Sequence, residues 1–87
     1  MRCIVVYTPF SKKGKIKKYL NIINARLSQK YEVIDFLITK YPEHAKKIAA
    51  DACGVYDLII AVGGDGIFNE VICGIAEKKN KPQVGVI

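Results

Sequence analysis

Four short apolar runs recur along the chain, and segments with helical periodicity separate them. The runs occupy Arg2–Tyr7, Glu32–Thr39, Tyr56–Val62 and Gln83–Ile87. Each is short and rich in β-branched residues, which favours strands over helices. Strands that alternate with helices and lack a polar face predict a parallel sheet with helices on both sides. We therefore predict an α/β fold with the order βαβαβαβ, an open parallel sheet in a Rossmann-like three-layer sandwich, and leave the strand order open.

Three helices are predicted from apolar residues that recur three and four positions apart. The repeats are Ile16, Leu20, Ile23 and Leu27, then Ala45, Ile48, Ala49 and Ala52, and then Phe68, Val71, Ile72, Ile75 and Ala76. The first helix is expected over residues 12–29, with Ser11 as its N-cap. Pro42 is expected in the first turn of the second helix, and Gly54 just after its last turn. The last strand has no turn or helix after it, so we expect the 87 residues to be part of a truncated domain.

The cysteines and the lack of export or membrane signals favour the cytoplasm. No apolar run approaches the ~18 residues of a membrane span, and the N-terminus lacks the pattern of a signal peptide. Cys3, Cys53 and Cys73 are odd in number and far apart, which does not fit a disulfide framework. Because His44 is the only histidine and no CxxC pair occurs, a structural zinc site is not expected.

A glycine-rich segment, Gly63-Gly64-Asp65-Gly66, follows the third predicted strand. Ligands of open α/β sheets bind beyond the carboxyl ends of the strands. Glycine accepts positive φ and lets a ligand approach the backbone, and the N–H groups that open the next helix attract anions. The segment therefore predicts a phosphate-binding turn. The alternative is a purely structural turn, in which Asp-Gly serves only the backbone geometry.

Asp65 makes the phosphate interpretation more specific. A carboxylate beside a phosphate is repelled unless it holds a metal ion or accepts a proton. Asn69 and Glu70 interrupt an otherwise apolar helix, from where they can reach back to a ligand. The alternative for Glu70 is that it complements the helix dipole at the helix start. The segment is not a Walker A loop, because no Gly-Lys-Ser/Thr follows, and Asn69 stands where a dinucleotide fingerprint has its third glycine.

Residues 63–71, Gly-Gly-Asp-Gly-Ile-Phe-Asn-Glu-Val, resemble the signature of the diacylglycerol kinase catalytic domain. That family includes bacterial lipid kinases, sphingosine kinases and ceramide kinases, with NAD kinases as distant relatives. Thr8-Pro9-Phe10-Ser11 stands where the family has an Asn-Pro-x-Ser-Gly-like loop, and Thr39 follows the second strand as it often does in the family. Two departures are Thr8 in place of the usual Asn and Ile67 in place of a frequent Thr.

The resemblance implies a lipid kinase of phospholipid metabolism, which transfers the γ-phosphoryl group of ATP to a lipid hydroxyl with Mg²⁺. The ATP-binding residues that it implies are Thr8, Ser11, Lys12, Thr39, Gly63, Gly64, Gly66, Asn69 and Glu70. It also implies that Asp65 acts as the catalytic base or organises Mg²⁺. The family's later motif and C-terminal lipid-binding domain have no counterpart in this sequence. Residues 1–87 are therefore interpreted as the N-terminal nucleotide-binding part, inactive when alone.

Positive charge is concentrated at the start of the chain. Residues 1–30 hold eight of the 14 basic residues and no acidic ones, and five lysines lie within positions 12–18. This cluster fits a solvated helix face or an attraction to anionic lipid headgroups, which would place the protein at a membrane periphery. Nucleic acid is a weaker alternative, since no recognition motif or aromatic platform accompanies the charge.

Two other functions remain open from the sequence. One is an NAD kinase-like enzyme, which Asn-Glu-Val after the glycine-rich segment disfavours. The other is a non-enzymatic module that binds a nucleotide or another anion. An uncovered sheet edge also allows a homo-oligomer.

Overall fold

A computed structural model of the chain describes residues 1–9 and 15–87. Its elements are β1 (Arg2–Tyr7), α1 (Ile16–Leu27), β2 (Val33–Ile38), α2 (His44–Ala52), β3 (Leu58–Val62), α3 (Asp65–Ile75) and β4 (Gln83–Val86). The predicted βαβαβαβ order and α/β class are confirmed. The expected start of the first helix at residue 12 and its cap at Ser11 lie outside the described residues. Among the described residues, no helix has both the length and the apolar character to cross a bilayer.

The four strands form one parallel sheet in the order β2-β1-β3-β4. The chain runs from β1 outward to β2 and then returns past β1 to β3, so the direction of winding reverses between β1 and β3. Tyr7, at the end of β1, is in register with Ile38 of β2 and Val62 of β3. The loops that leave β1 and β3 therefore diverge at this reversal, which is where open α/β sheets form their binding crevice.

Two cores flank the sheet because side chains of each strand alternate between its faces. One face packs against α2 and α3 through Ile4, Val6, Ile59 and Ala61. The other packs against α1 through Cys3, Val5, Ile60 and Val62. Both faces of the central strands are buried, which explains why these runs are apolar throughout and show no polar alternation.

Helices α2 and α3 pack unusually closely. A Cβ added at Gly74 would lie 2.3 Å from the carbonyl oxygen of Lys46 and 2.9 Å from the Cβ of Ala49. Ala45 and Ala49, both fully buried, present small side chains to the same interface. This contact fixes the axis of α3, and it thereby holds the start of α3 at the carboxyl edge of the sheet.

The ends of α2 confirm one prediction and correct another. Gly54 follows the last turn with a left-handed φ of 81°, as its predicted position requires. Pro42, however, does not lie in the first turn of α2, which begins at His44. Glu43 has a φ of 67° and interrupts the helical conformation between Pro42 and His44. The proline therefore belongs to a turn between β2 and α2.

Candidate functional site

A cleft of about 490 Å³ opens at the carboxyl edge of the sheet. Its walls come from the residues after β1 (Thr8 and Pro9), from the segment between β2 and α2 (residues 39–42), and from the first turns of α3 (Gly66, Ile67 and Glu70). These elements meet at the reversal between β1 and β3. The fold thus brings together three loops that lie far apart in the sequence.

The glycine turn between β3 and α3 has one strained position and two open ones. Gly63 has a φ of 147°, a conformation that favours glycine, and its N–H donates to the carbonyl of Ile87 at 3.3 Å. Gly64, the N-cap of α3, has an ordinary φ of −104°. A Cβ added at Gly64 or Gly66 would meet no atom within 4 Å. The expectation of positive φ is therefore met at Gly63 alone, and neither backbone strain nor packing requires glycine at the other two positions.

The start of α3 has backbone donors without helical partners beside the cleft. The helix begins at Asp65, inside the four-residue segment that the sequence predicts as a turn. Phe68 N–H donates to the carbonyl of Gly64 at 3.5 Å, so the N–H groups of the three preceding residues have no carbonyl one turn earlier in the helix. Two of these residues, Gly66 and Ile67, line the cleft. A helix N-terminus with this geometry favours an anion.

Asp65 lies beside the cleft rather than within it. It lines a second recess of about 310 Å³, together with Gly63, Gly64, Phe68 and the end of β4. The larger cleft is lined instead by Gly66 of the same turn. Asp65 is solvent-exposed in the first turn of α3. A carboxylate so placed suits Mg²⁺ bound jointly with phosphate oxygens, or a proton received from a nucleophile.

The remaining predicted residues fall into three groups. Thr8, Thr39 and Glu70 line the large cleft, and the N–H of Thr39 donates to the carbonyl of Tyr7 at 2.8 Å, which fixes Thr39 at the rim. Asn69 is exposed and lines neither recess. Ser11 and Lys12 lie outside the described residues.

Glu70 does not occupy the helix start, where the alternative interpretation placed it. It is half-buried in the second turn of α3, and Asp65 is the acidic residue of the first turn. The dipole effect falls off within the first turn. Glu70 thus lies too far along α3 to complement the helix dipole, and it lines the cleft.

Sequence reasoning missed a stacked pair at the rim of the cleft. The rings of Tyr41 and His44 have centroids 4.3 Å apart and planes 18° apart. The N–H of Lys40 donates to Nδ1 of His44 at 2.9 Å. From the sequence, His44 was considered only as a metal ligand, and no functional role was assigned to Tyr41. A contact across a non-helical turn has no periodic signal in the sequence.

The groups with shifted pKa values lie away from this cleft. Burial raises the pKa of the Cys3 thiol to about 11, so this cysteine behaves as a small apolar residue. The hydroxyl of Tyr56 donates to Asp35, and this bond raises the pKa of the tyrosine. Within residues 1–9 and 15–87, no three His, Cys, Asp or Glu side chains group together to hold a metal ion.

Known proteins resemble the chain over almost its entire length. The family model described as the diacylglycerol kinase catalytic domain matches residues 2–87. Curated diacylglycerol kinases of Staphylococcus saprophyticus and Staphylococcus aureus are each 37% identical to it over 87 residues, covering 99% of this chain. The chain spans only 28% of the length of either relative.

A solved structure agrees with the fold. The crystal structure of a diacylglycerol kinase from Bacillus anthracis superposes with a TM-score of 0.88 at 27% identity. The superposition covers 99% of this chain and 32% of that one.

Proposed function

Because the chain belongs to the diacylglycerol kinase catalytic domain family, we propose that residues 1–87 are the N-terminal nucleotide-binding part of an ATP-dependent lipid kinase. The whole enzyme would transfer the γ-phosphoryl group of ATP to a lipid hydroxyl. One observation carries the proposal: Gly64 and Gly66 leave open space beside the backbone donors of α3, although nothing in the fold demands glycine there. Phosphate oxygens fit this space and these donors.

The proposed mechanism rests on positioning and charge, as phosphoryl transfer generally does. The glycine turn and the N–H groups at the start of α3 bind the ATP phosphates. Thr8, Thr39 and Glu70 line the cleft and contact the rest of the nucleotide. Asp65 accepts the proton of the lipid hydroxyl, or it provides a carboxylate ligand to Mg²⁺.

Asp65 suits Mg²⁺, since this ion is commonly held by one or two carboxylates together with substrate phosphates. When bound, Mg²⁺ neutralises charge on the phosphates. The lipid acceptor is proposed to be bound by a part of the whole enzyme that corresponds to the portion of the relatives not spanned by this chain. We therefore expect ATP binding, but no transfer, from the 87-residue protein.

The glycine turn is tested by titrating the 87-residue protein with ATP and Mg²⁺ in a calorimeter. Gly64→Val places a side chain where the phosphates are expected, and we expect it to weaken binding roughly tenfold or more, the equivalent of one charge-assisted hydrogen bond. Gly85→Ala is the matched control, because its added Cβ makes an ordinary 3.8 Å contact with Ile60. Unchanged affinity in Gly64→Val would contradict the proposed phosphate site.

The reaction class is tested on the longest natural protein that contains this chain. We expect it to phosphorylate a lipid hydroxyl in mixed micelles. Phosphorylation of NAD without phosphorylation of lipid would establish the NAD kinase alternative instead. ATP binding with no transfer to either acceptor would favour a non-enzymatic nucleotide-binding module.

The basic surface of α1 is proposed to attract the protein to anionic lipid at a membrane periphery. Lys15, Lys17 and Lys18 are exposed at the start of α1, which contains no acidic residue. We expect Lys17→Gln with Lys18→Gln to weaken binding to phosphatidylglycerol vesicles by about 2 kcal/mol at low salt. Lys46→Gln with Lys47→Gln on α2 is the matched control for loss of two charges. Equal losses in both pairs would show that net charge, rather than this surface, drives binding.

A further inference from the structure

Tyr41 is an exposed aromatic residue at the rim of the cleft. Its side chain is 52% exposed, yet its ring stacks on His44 in a nearly parallel arrangement. Tyr41 lines the cleft, whereas His44 lines a different recess, between α2 and the strands β1 and β2. His44 thus supports the ring from the side away from the cleft, and the aromatic surface of Tyr41 is available to a ligand within it.

The segment around Tyr41 is held in place before any ligand arrives. The carbonyl of Tyr41 accepts the backbone N–H of His44 at 3.1 Å. Nδ1 of His44 accepts the N–H of Lys40 at 2.9 Å, which closes a loop on both sides of the tyrosine. A wall that is fixed in this way loses little conformational freedom when a ligand binds, and this strengthens binding.

The cleft has different chemistry at its two ends. Gly66 and Ile67, at the start of α3, supply backbone donors suited to an anion. Tyr41 lies on the segment that leaves β2, and β2 is separated from β3 by β1. The two strand ends are therefore roughly 10 Å apart, two strand spacings. This separation suits a nucleotide, whose phosphates and planar base lie on opposite sides of the ribose.

We propose that the base of the bound nucleotide stacks on the ring of Tyr41, and that His44 is a positioning residue that holds this ring. The inference rests on the proposed function, since it assumes that the cleft binds ATP. The inference adds a residue that recognises the base, and the base is a part of the nucleotide that the glycine turn does not contact.

The test compares ATP with inorganic tripolyphosphate, which has the phosphates but no base. Affinities are measured with Mg²⁺ by calorimetry on the 87-residue protein. Base–aromatic stacking predicts that Tyr41→Ala weakens ATP binding about 5- to 150-fold and leaves tripolyphosphate binding unchanged. Tyr41→Phe keeps the ring and is expected to bind both ligands as the wild type does. Retained tripolyphosphate affinity also shows that each variant is folded.

Three results would overturn the inference. If Tyr41→Ala binds ATP as tightly as the wild type, the base does not stack on this ring, while the proposed function stands. If the variant loses ATP and tripolyphosphate equally, Tyr41 supports the loop rather than the base. If the wild type binds neither ligand, the proposed function fails and the inference fails with it.

His44 is tested by a double-mutant cycle. We expect His44→Ala to weaken ATP binding less than Tyr41→Ala does, and to add nothing when Tyr41 is already Ala, because it acts through that ring. His44→Phe preserves a stacking partner and should restore ATP affinity. Additive effects of the two Ala substitutions on ATP binding would overturn the positioning role.

Discussion

The two edges of the sheet carry clefts of similar size but different chemistry. The carboxyl-edge cleft has a volume of about 490 Å³, and a cleft of about 460 Å³ lies at the amino edge. At the amino edge, backbone donors already have partners: Gly54 N–H donates to the carbonyl of Asn80 at 3.0 Å, and Arg2 N–H donates to the side-chain Oδ2 of Asp57 at 2.7 Å. At the carboxyl edge, Gly66 and Ile67 line the cleft, and their N–H groups have no carbonyl partner one turn earlier in α3.

Volume therefore does not identify the site in this protein. The amino-edge groups form bonds that hold the ends of strands and loops together. At the carboxyl edge, by contrast, neither packing nor backbone strain requires glycine at positions 64 and 66. The comparison predicts that substitutions at the carboxyl edge change binding and transfer, whereas substitutions elsewhere change the free energy of unfolding.

The largest expected effect is that of Asp65→Asn on phosphoryl transfer. In the longest natural protein that contains this chain, we expect the rate to fall about 10²- to 10⁴-fold, the usual contribution of a general base. Thermal unfolding should change little, since Asp65 is exposed and contributes only the modest attraction of a first-turn carboxylate to the helix dipole. If Asp65 is the base, the substitution leaves the affinity for ATP–Mg²⁺ unaltered. If Asp65 is a metal ligand, the substitution raises the Mg²⁺ concentration that transfer requires. Transfer at the wild-type rate would exclude both roles.

A smaller effect separates two glycines of the same helical segment. Gly74→Ala forces a Cβ against the backbone of α2, and we expect it to lower the free energy of unfolding by about 1–3 kcal/mol. Gly64→Ala meets no atom within 4 Å and should lower stability less, by only the preference of an N-cap for glycine over alanine. Urea unfolding of both variants measures the difference. Equal stability of the two variants would show that α2 and α3 can shift apart without cost.

The smallest effect concerns the amino edge and pH. The N-terminal ammonium of Met1 lies 2.9 Å from Oε1 of Glu32 and lowers the pKa of that carboxyl. A carboxyl with a lowered folded pKa stabilises the fold above its unfolded pKa, and the contribution is lost as the pH falls from about 4.3 through the folded value. In Glu32→Gln, thermal stability should fall slightly less between pH 7 and pH 3 than it does in the wild type. The affinity for ATP at pH 7 should be unchanged. An identical pH profile would contradict the pairing.

Much of the fold follows from local patterns in the sequence. The first strand was predicted with its observed bounds, because a β-branched apolar run specifies a buried strand directly. The start of α2 was placed too early, since proline suits a first turn but the left-handed Glu43 is not visible in composition. Strand order was left open because it depends on contacts between distant residues.

The candidate site divides in the same way. The glycine turn and Thr39 were found because glycine-rich segments and strand ends have a chemical signature at fixed positions. Tyr41 and His44 were missed as a pair because their contact forms only when the loop folds back across a turn. The backbone at position 64 does not require glycine. This too depends on the space around the residue and is not visible in the sequence.

The bond from Gly63 N–H to the carbonyl of Ile87 has a consequence for how the protein is made. It ties the turn after β3 to the far end of β4, 24 positions later in the chain. A ribosome adds roughly 5–20 residues each second, and domains form from their N-terminal parts onward. The turn therefore emerges before its partner exists, and it acquires this bond only after translation has passed Ile87.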